Sequence, residues 1–279
     1  MKLCIRAHDL GVMGMPGILQ QLERYGIDGV QLVCYKAFED IAQTPGAIPV
    51  ERAEVIGREF AAGGRSVELV GAYFNPVHEN ARKVSDGVAI FSDYLKVCKA
   101  LGCDTVGSET GSRNNDAWTY HPLNRTEESL QGVVRAFTQL CQVAQDHGSR
   151  VALEGCAGHV CWDVDTLARA RKMIGAPTRV IFDLYNYLDA DNQGDYLKIL
   201  DRGLDLFAGD IHVFHMKDCI LRNGQKPLQT PFGQGGLDLR AILGRIKAYD
   251  QNSVLVLEET VAPDIEKAVE TIKTTWESV

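Results

Sequence analysis

The sequence predicts an α/β protein, a single (β/α)₈ barrel forming one domain over residues 1–279. Eight short β-branched or aliphatic runs alternate with longer segments of helical period, the mark of parallel strands joined by helical crossovers. No glycine-rich dinucleotide loop supports the open, doubly wound alternative. The length, 279 residues without a linker, suits one barrel of ~250 residues or a little more.

The expected strands, in order, are Lys2 to Ala7, Gly29 to Val33, Ser66 to Ala72, Asp104 to Gly107, Arg150 to Leu153, Arg179 to Phe182, Ile211 to Phe214 and Ser253 to Leu257. Helices fill the gaps. Between the third and fourth strands Val84, Val88, Phe91, Leu95 and Cys98 recur at steps of four, three, four and three, which lines them along one helix face. Leu130, Val133, Val134, Phe137, Leu140 and Cys141 trace a second stripe before the fifth strand, and Ile265, Val269 and Ile272 a third near the C-terminus. Gly102, Gly148 and Gly175 follow such helices and precede strands, where a left-handed cap is expected.

Composition narrows the class further. Apolar residues make up 45% and charged residues 24%, which excludes collagen-like, disordered and low-complexity chains. The formal charge of −8 repels a polyanion overall, so no nucleic-acid partner is expected. The cysteines at 4, 34, 98, 103, 141, 156, 161 and 219 form no CxxC pair and no dense framework, so they read as reduced thiols. The opening run MKLCIRAHDLG is too short for a signal peptide, and no apolar stretch reaches the ~18 residues of a membrane span. A cytoplasmic protein with no membrane partner is the expectation.

Barrel active sites lie at the carboxyl ends of the strands, so the polar residues there come first. The fifth strand leads to Glu154, the sixth to Asp183, the seventh to His212 and His215, the eighth to Glu258. A single acidic residue after a strand is usually a helix cap or a solvated charge; four consecutive strands ending this way are not so easily dismissed. Three carboxylates converging on one arc of the mouth repel unless a cation sits among them. Carboxylate oxygens with one imidazole suit Mn²⁺ first, with Mg²⁺, Co²⁺ and Zn²⁺ as alternatives.

Leu153-Glu154, Phe182-Asp183-Leu184-Tyr185-Asn186, the segment from His212 to Asp218, the segment from Phe232 to Asp238, Leu257-Glu258 and the run from Gly107 to Ser112 together resemble the xylose-isomerase-like TIM-barrel sugar (phosphate) isomerase/epimerase superfamily, which includes the AP endonuclease family 2-like proteins. The resemblance implies one divalent ion held by Glu154, Asp183, His215 and Glu258, with His215 preferred to His212 because it directly precedes Met216-Lys217-Asp218. It also implies a small carbohydrate substrate and allows a homo-oligomer, since similar proteins form dimers and tetramers. The chain departs from the endonuclease-IV-like branch: Asn186 stands where those enzymes and the ketose 3-epimerases place a histidine, and no Asp-x-His pair precedes Gly233.

This constellation suits proton transfer next to a carbonyl through an enediolate, with Glu154 and Glu258 as the acid/base pair on opposite sides of the substrate. Return of the proton to the opposite face of the same carbon epimerises; return to its neighbour isomerises. A lyase that expels a β substituent from a 3-keto sugar or inosose is the alternative, and a non-catalytic sugar-binding barrel a third. His8, Asn75, Glu109, Asn186, Lys217 and Arg222 are candidates for substrate recognition, and His159 for an extra acid or base. Trp118 and Tyr120 fall in a long segment suited to a lid, and Gly233-Gln234-Gly235-Gly236 is a weak match to a phosphate-holding helix start.

Overall fold

The structure, a computed structural model, describes residues 1–279. Eight parallel strands close into a barrel in the order β1-β10-β7-β6-β5-β4-β3-β2. They are β1 (Lys2–Arg6), β2 (Gly29–Leu32), β3 (Ser66–Gly71), β4 (Thr105–Glu109), β5 (Arg150–Glu154), β6 (Arg179–Asp183), β7 (Ile211–Met216) and β10 (Val254–Leu257). Eight long helices surround them: α1 (Met15–Tyr25), α3 (Val50–Ala62), α4 (Ala81–Val97), α5 (Glu127–His147), α6 (Val164–Ile174), α7 (Tyr196–Leu206), α8 (Leu239–Tyr249) and α9 (Ile265–Ser278). A single-turn helix, α2 (Cys34–Ala37), follows β2.

The helix stripes read from the sequence face the strands. Val88, Phe91 and Leu95 of α4, Phe137 and Leu140 of α5, and Ile265, Val269 and Ile272 of α9 are buried. Phe74, Phe91 and Phe137 meet between strand and helix layers with ring centroids 5.9 to 6.3 Å apart, close to the edge-to-face spacing that adds to burial. The caps agree as well. Gly148 and Gly175 end α5 and α6 with φ of 61° and 72°, and Gly102 turns the chain before β4 with φ of 83°.

Inside the barrel, Cys4, Leu69, Ala152, Ile181, Val213 and Val256 form a closed apolar layer. Gly107 completes it, because a side chain there would collide with Ile181 from across the barrel. Strand side chains alternate, so the residue two positions beyond each of these points inward again, one layer nearer the mouth. That layer holds Arg6, Glu109, Glu154, Asp183, His215 and Glu258. His212 has the opposite parity and is spent elsewhere, with Nε2 2.7 Å from the Glu68 carbonyl and Nδ1 2.9 Å from Arg179.

Two features differ from the sequence reading. Strands β4 to β7 run one or two residues further than expected, because their polar ends continue the ladder: Glu109 pairs in register with Glu154, and Asp183 with His215. An antiparallel hairpin, β8 (Asp218–Ile220) with β9 (Leu228–Thr230), grows out of the loop after β7. No apolar alternation marks so short a pair. Asp218 anchors its base by accepting from the amides of Cys219, Gly233 and Gly235 at 2.8 to 3.1 Å. Those glycine amides are therefore occupied, and the Gly233–Gly236 run is not a phosphate cradle. No helix is long and apolar enough to cross a membrane.

Candidate metal centre and barrel mouth

Glu154, Asp183, His215 and Glu258 converge at the mouth, each offering a ligand atom within 4.8 Å of the others. All four are buried. His215 Nδ1 lies 2.6 Å from Glu258 Oε2, 3.2 Å from Glu154 Oε1 and 3.8 Å from Asp183 Oδ2. The other ring nitrogen is committed: Nε2 donates to Gln31 Oε1 at 2.7 Å, while Gln31 Nε2 donates to the Tyr73 hydroxyl at 2.8 Å. That relay fixes the ring and leaves the Nδ1 lone pair aimed into the cluster, which is how a metal-binding imidazole is normally oriented.

Positive groups brace the carboxylates. Arg6 forks onto Asp9 with two bonds of 2.9 Å and reaches Glu258 Oε1 with Nη1 at 2.6 Å. Asp9 also accepts from the Glu259 amide at 2.8 Å, holding that residue in a left-handed conformation with φ of 53°. Lys217 Nζ lies 3.1 Å from Asp183 Oδ2, 3.4 Å from Glu258 Oε1 and 3.2 Å from Asn186 Oδ1. Asn186 in turn donates to Glu154 Oε1 at 2.8 Å.

Burial opposes the ionisation of Glu258, yet His215, Lys217 and Arg6 together hold its carboxyl well below the usual range. Burial would lower the His215 imidazole, but Glu258 and Glu154 override it and push it up to about 10. Burial raises Glu154, and raises Asp183 to about 6 against the pull of Lys217. The direction is clear for the His215–Glu258 contact: without a cation it is an ion pair.

The donor set fits a divalent cation. Asp183 Oδ2 and Glu258 Oε2 are buried and accept no hydrogen bond of good geometry; their charge is met only by the ion-pair contacts of Lys217 and His215 at 3.1 and 2.6 Å. Three carboxylates and a pre-aimed imidazole supply an oxygen-rich shell suited to Mn²⁺ or Mg²⁺, with Zn²⁺ and Co²⁺ also compatible.

Above the cluster opens a cavity of about 550 Å³, within the size range of small-molecule sites. His8, Glu109, Asn186 and Lys217 line it, as do Arg6, Tyr35, Lys36 and Trp118, with Lys226 and Gln229 contributed by the hairpin side. The structure does not bring Asn75 or Arg222 there. Asn75 is saturated by its own loop, donating to Ser112 and Asn115 carbonyls at 2.7 and 2.9 Å and accepting from Val77 and Ser112 amides. Arg222 turns its guanidinium to the Lys226 carbonyl, Nε at 3.1 Å. His159 sits in the wall beside Glu109 and Trp118, and Tyr120 is 54% exposed, facing solvent. Arg6, Gln31 and Tyr73 escaped the sequence reading; Gln31, alone among the apolar residues of its strand, was the signal available.

A barrel with its polar layer at the strand ends and a carboxylate–imidazole cluster beneath one cavity defines the class. A family model for xylose isomerase-like TIM barrels matches residues 19–275, and the chain belongs to that family. No curated protein matches it. Solved structures share the fold at low identity. A D-tagatose 3-epimerase-like protein is 18% identical with a TM-score of 0.77, covering 100% of this chain and 98% of its own. The IOLI protein, solved with a bound zinc atom, is 18% identical with a TM-score of 0.72 and coverages of 99% and 96%. The probable 3-DHS dehydratase AsbF of Bacillus anthracis is 11% identical with a TM-score of 0.73 and coverages of 98% and 99%.

Proposed function

We propose that this chain is a divalent-metal-dependent isomerase or epimerase of a small sugar or keto sugar. The observation that carries this reading is the convergence of Glu154, Asp183, His215 and Glu258 beneath a cavity sized for one sugar. A cation held by these four residues would stabilise negative charge building on substrate oxygens as a C–H proton leaves.

The chain's own groups do the rest. Glu154 and Glu258 reach the centre from β5 and β10, three strands apart around the ring, so they face the substrate from different sides. One accepts the proton from the carbon beside the carbonyl, and the other returns a proton to the enediolate. Such acid–base transfer contributes ~10²–10⁴-fold, which leaves positioning and electrostatics to supply the remainder. Lys217, Asn186 and His8 line the same space, which supports a role for them in holding substrate hydroxyls. Solved structures that share the fold include a D-tagatose 3-epimerase-like protein and a probable dehydratase, names compatible with both the epimerase reading and its lyase alternative.

Asn186 favours a second reading. It bonds Glu154 yet has no proton to exchange, so collapse of the enolate with loss of a β substituent, a lyase outcome, competes with reprotonation.

The test is incubation with a panel of ketoses and 3-keto sugars in D₂O with Mn²⁺, followed by NMR. Deuterium at the carbon beside the carbonyl is expected. An enone chromophore instead moves the assignment to the lyase, and silence across the panel overturns both.

A further inference from the structure

A second set of metal-type donors converges on the wall of the mouth. Glu109 at the end of β4 and Cys156 and His159 in the loop after β5 bring a carboxylate oxygen, a thiol sulfur and an imidazole nitrogen within 4.8 Å of one another. The mechanism above uses neither Cys156 nor His159.

The backbone that presents them is firmly built. The His159 amide donates to the Cys156 carbonyl at 2.8 Å, closing the turn Cys156-Ala157-Gly158-His159. This turn is tied to two neighbouring loops, with the Ala157 amide on the Asn186 carbonyl at 2.7 Å and the Val160 amide on the Gly111 carbonyl at 3.0 Å. Asn124 Nδ2 clamps the Gly158 carbonyl at 2.8 Å.

The tautomer of His159 follows from its partner. Nε2 lies 3.1 Å from the Trp118 carbonyl, which can only accept, so Nε2 carries the proton and Nδ1 presents a lone pair. That Nδ1 is buried in a residue only 3% exposed, has no hydrogen-bond partner, and faces Glu109 Oε1 at 3.7 Å, too far for a hydrogen bond. An imidazole with one N–H held by a carbonyl and the other nitrogen bare is oriented as metal ligands are. A cation between the three donors satisfies what is otherwise an orphaned buried lone pair.

We propose that Glu109, Cys156 and His159 form a second metal site, taking a borderline-soft divalent cation, Zn²⁺ above all. A thiolate, an imidazole and a carboxylate match zinc's preferences and leave a fourth position for water or a substrate oxygen, whereas the four-residue centre has no sulfur. Glu109 pairs in register with Glu154, so the two sites stand at the ends of adjacent strands, and Glu109 opens onto the shared cavity. The site stands independently of the reaction assigned above.

Co²⁺ titration of the metal-free protein tests it, because a thiolate-to-cobalt charge-transfer band in the near ultraviolet appears only when sulfur is a ligand. Two equivalents per chain are expected, one of them developing that band. Cys156→Ser removes the band and its equivalent, and His159→Gln weakens that equivalent about 10-fold or more. Glu258→Gln weakens the other equivalent and leaves the sulfur band intact, which separates failure of this site from failure of the four-residue centre. Wild-type protein with native circular dichroism that binds Co²⁺ without the sulfur band, or a band that survives in Cys156→Ser, overturns the proposal.

Discussion

Arg6 and Glu258, 252 positions apart, meet with Nη1 2.6 Å from Oε1 where β1 and β10 lie side by side. The same guanidinium is forked onto Asp9, so one side chain both joins the first and last strands and braces a carboxylate of the candidate metal centre.

Arg6→Ala removes the guanidinium from both buried carboxylates, leaving Glu258 to His215 and Lys217 and Asp9 to the Glu259 amide. Breaking a buried pair from one side costs about 3–5 kcal/mol, so the urea midpoint should fall sharply. Arg6→Lys keeps the charge without the fork and should recover only part of the loss. A midpoint unchanged in Arg6→Ala would contradict the brace.

Gln31→Leu removes the acceptor of His215 Nε2–H while filling the same space in β2 with an apolar side chain of similar size. The imidazole loses its orientation, and affinity for the divalent cation should drop about 10–100-fold by calorimetric titration. Equal affinity in the variant would show that the Gln31 bond does not orient the ring.

Glu154→Gln and Glu258→Gln each remove a ligand and a proton-transfer group. Solvent-proton exchange into the substrate should fall by ~10²–10⁴-fold or more in either variant. Treatment with a chelator should abolish exchange in the native protein, and Mn²⁺ should restore it; exchange undiminished after demonstrated metal removal would exclude the proposed chemistry.

Acid should weaken the fold through His8. Burial first, then Arg6 and Lys36, lower its imidazole from 6.5 to about 4. The folded state thus disfavours the proton that the unfolded chain accepts, so stability is complete above pH 6.5 and declines as pH falls toward 4. His8→Gln should flatten part of this slope in denaturant midpoints taken across that window; His159 and His212, also lowered chiefly by burial, add slopes of the same sign, whereas Glu109 and Asp183, raised chiefly by burial to about 7 and about 6, act in the opposite direction. A slope identical in His8→Gln would sink the assignment.

The barrel is legible in the sequence because its helices are amphipathic over long windows and its strands are short apolar runs between them. Glu154, Asp183, His215 and Glu258 are legible because each closes a short apolar run on four consecutive strands, and the Met216-Lys217-Asp218 segment that follows selects His215 over His212. Arg6 and Gln31 are harder to read, since a polar residue in a strand does not say which partner it meets across a barrel. Asn75 and Arg222 sit in loops, where the path of the backbone decides whether a side chain serves the cavity or its own turn. The β8–β9 hairpin has three residues per strand, too few to display a period.

The seam between β1 and β10 also bears on how the molecule comes into being. During synthesis Glu154, Asp183 and His215 all emerge before Glu258, and Arg6 waits from the outset for a strand made nearly last. A chain that stops short of β10 has three of the four candidate ligands and no closed ring, so barrel closure and completion of the candidate centre depend on the same long-range pairing of the first and last strands.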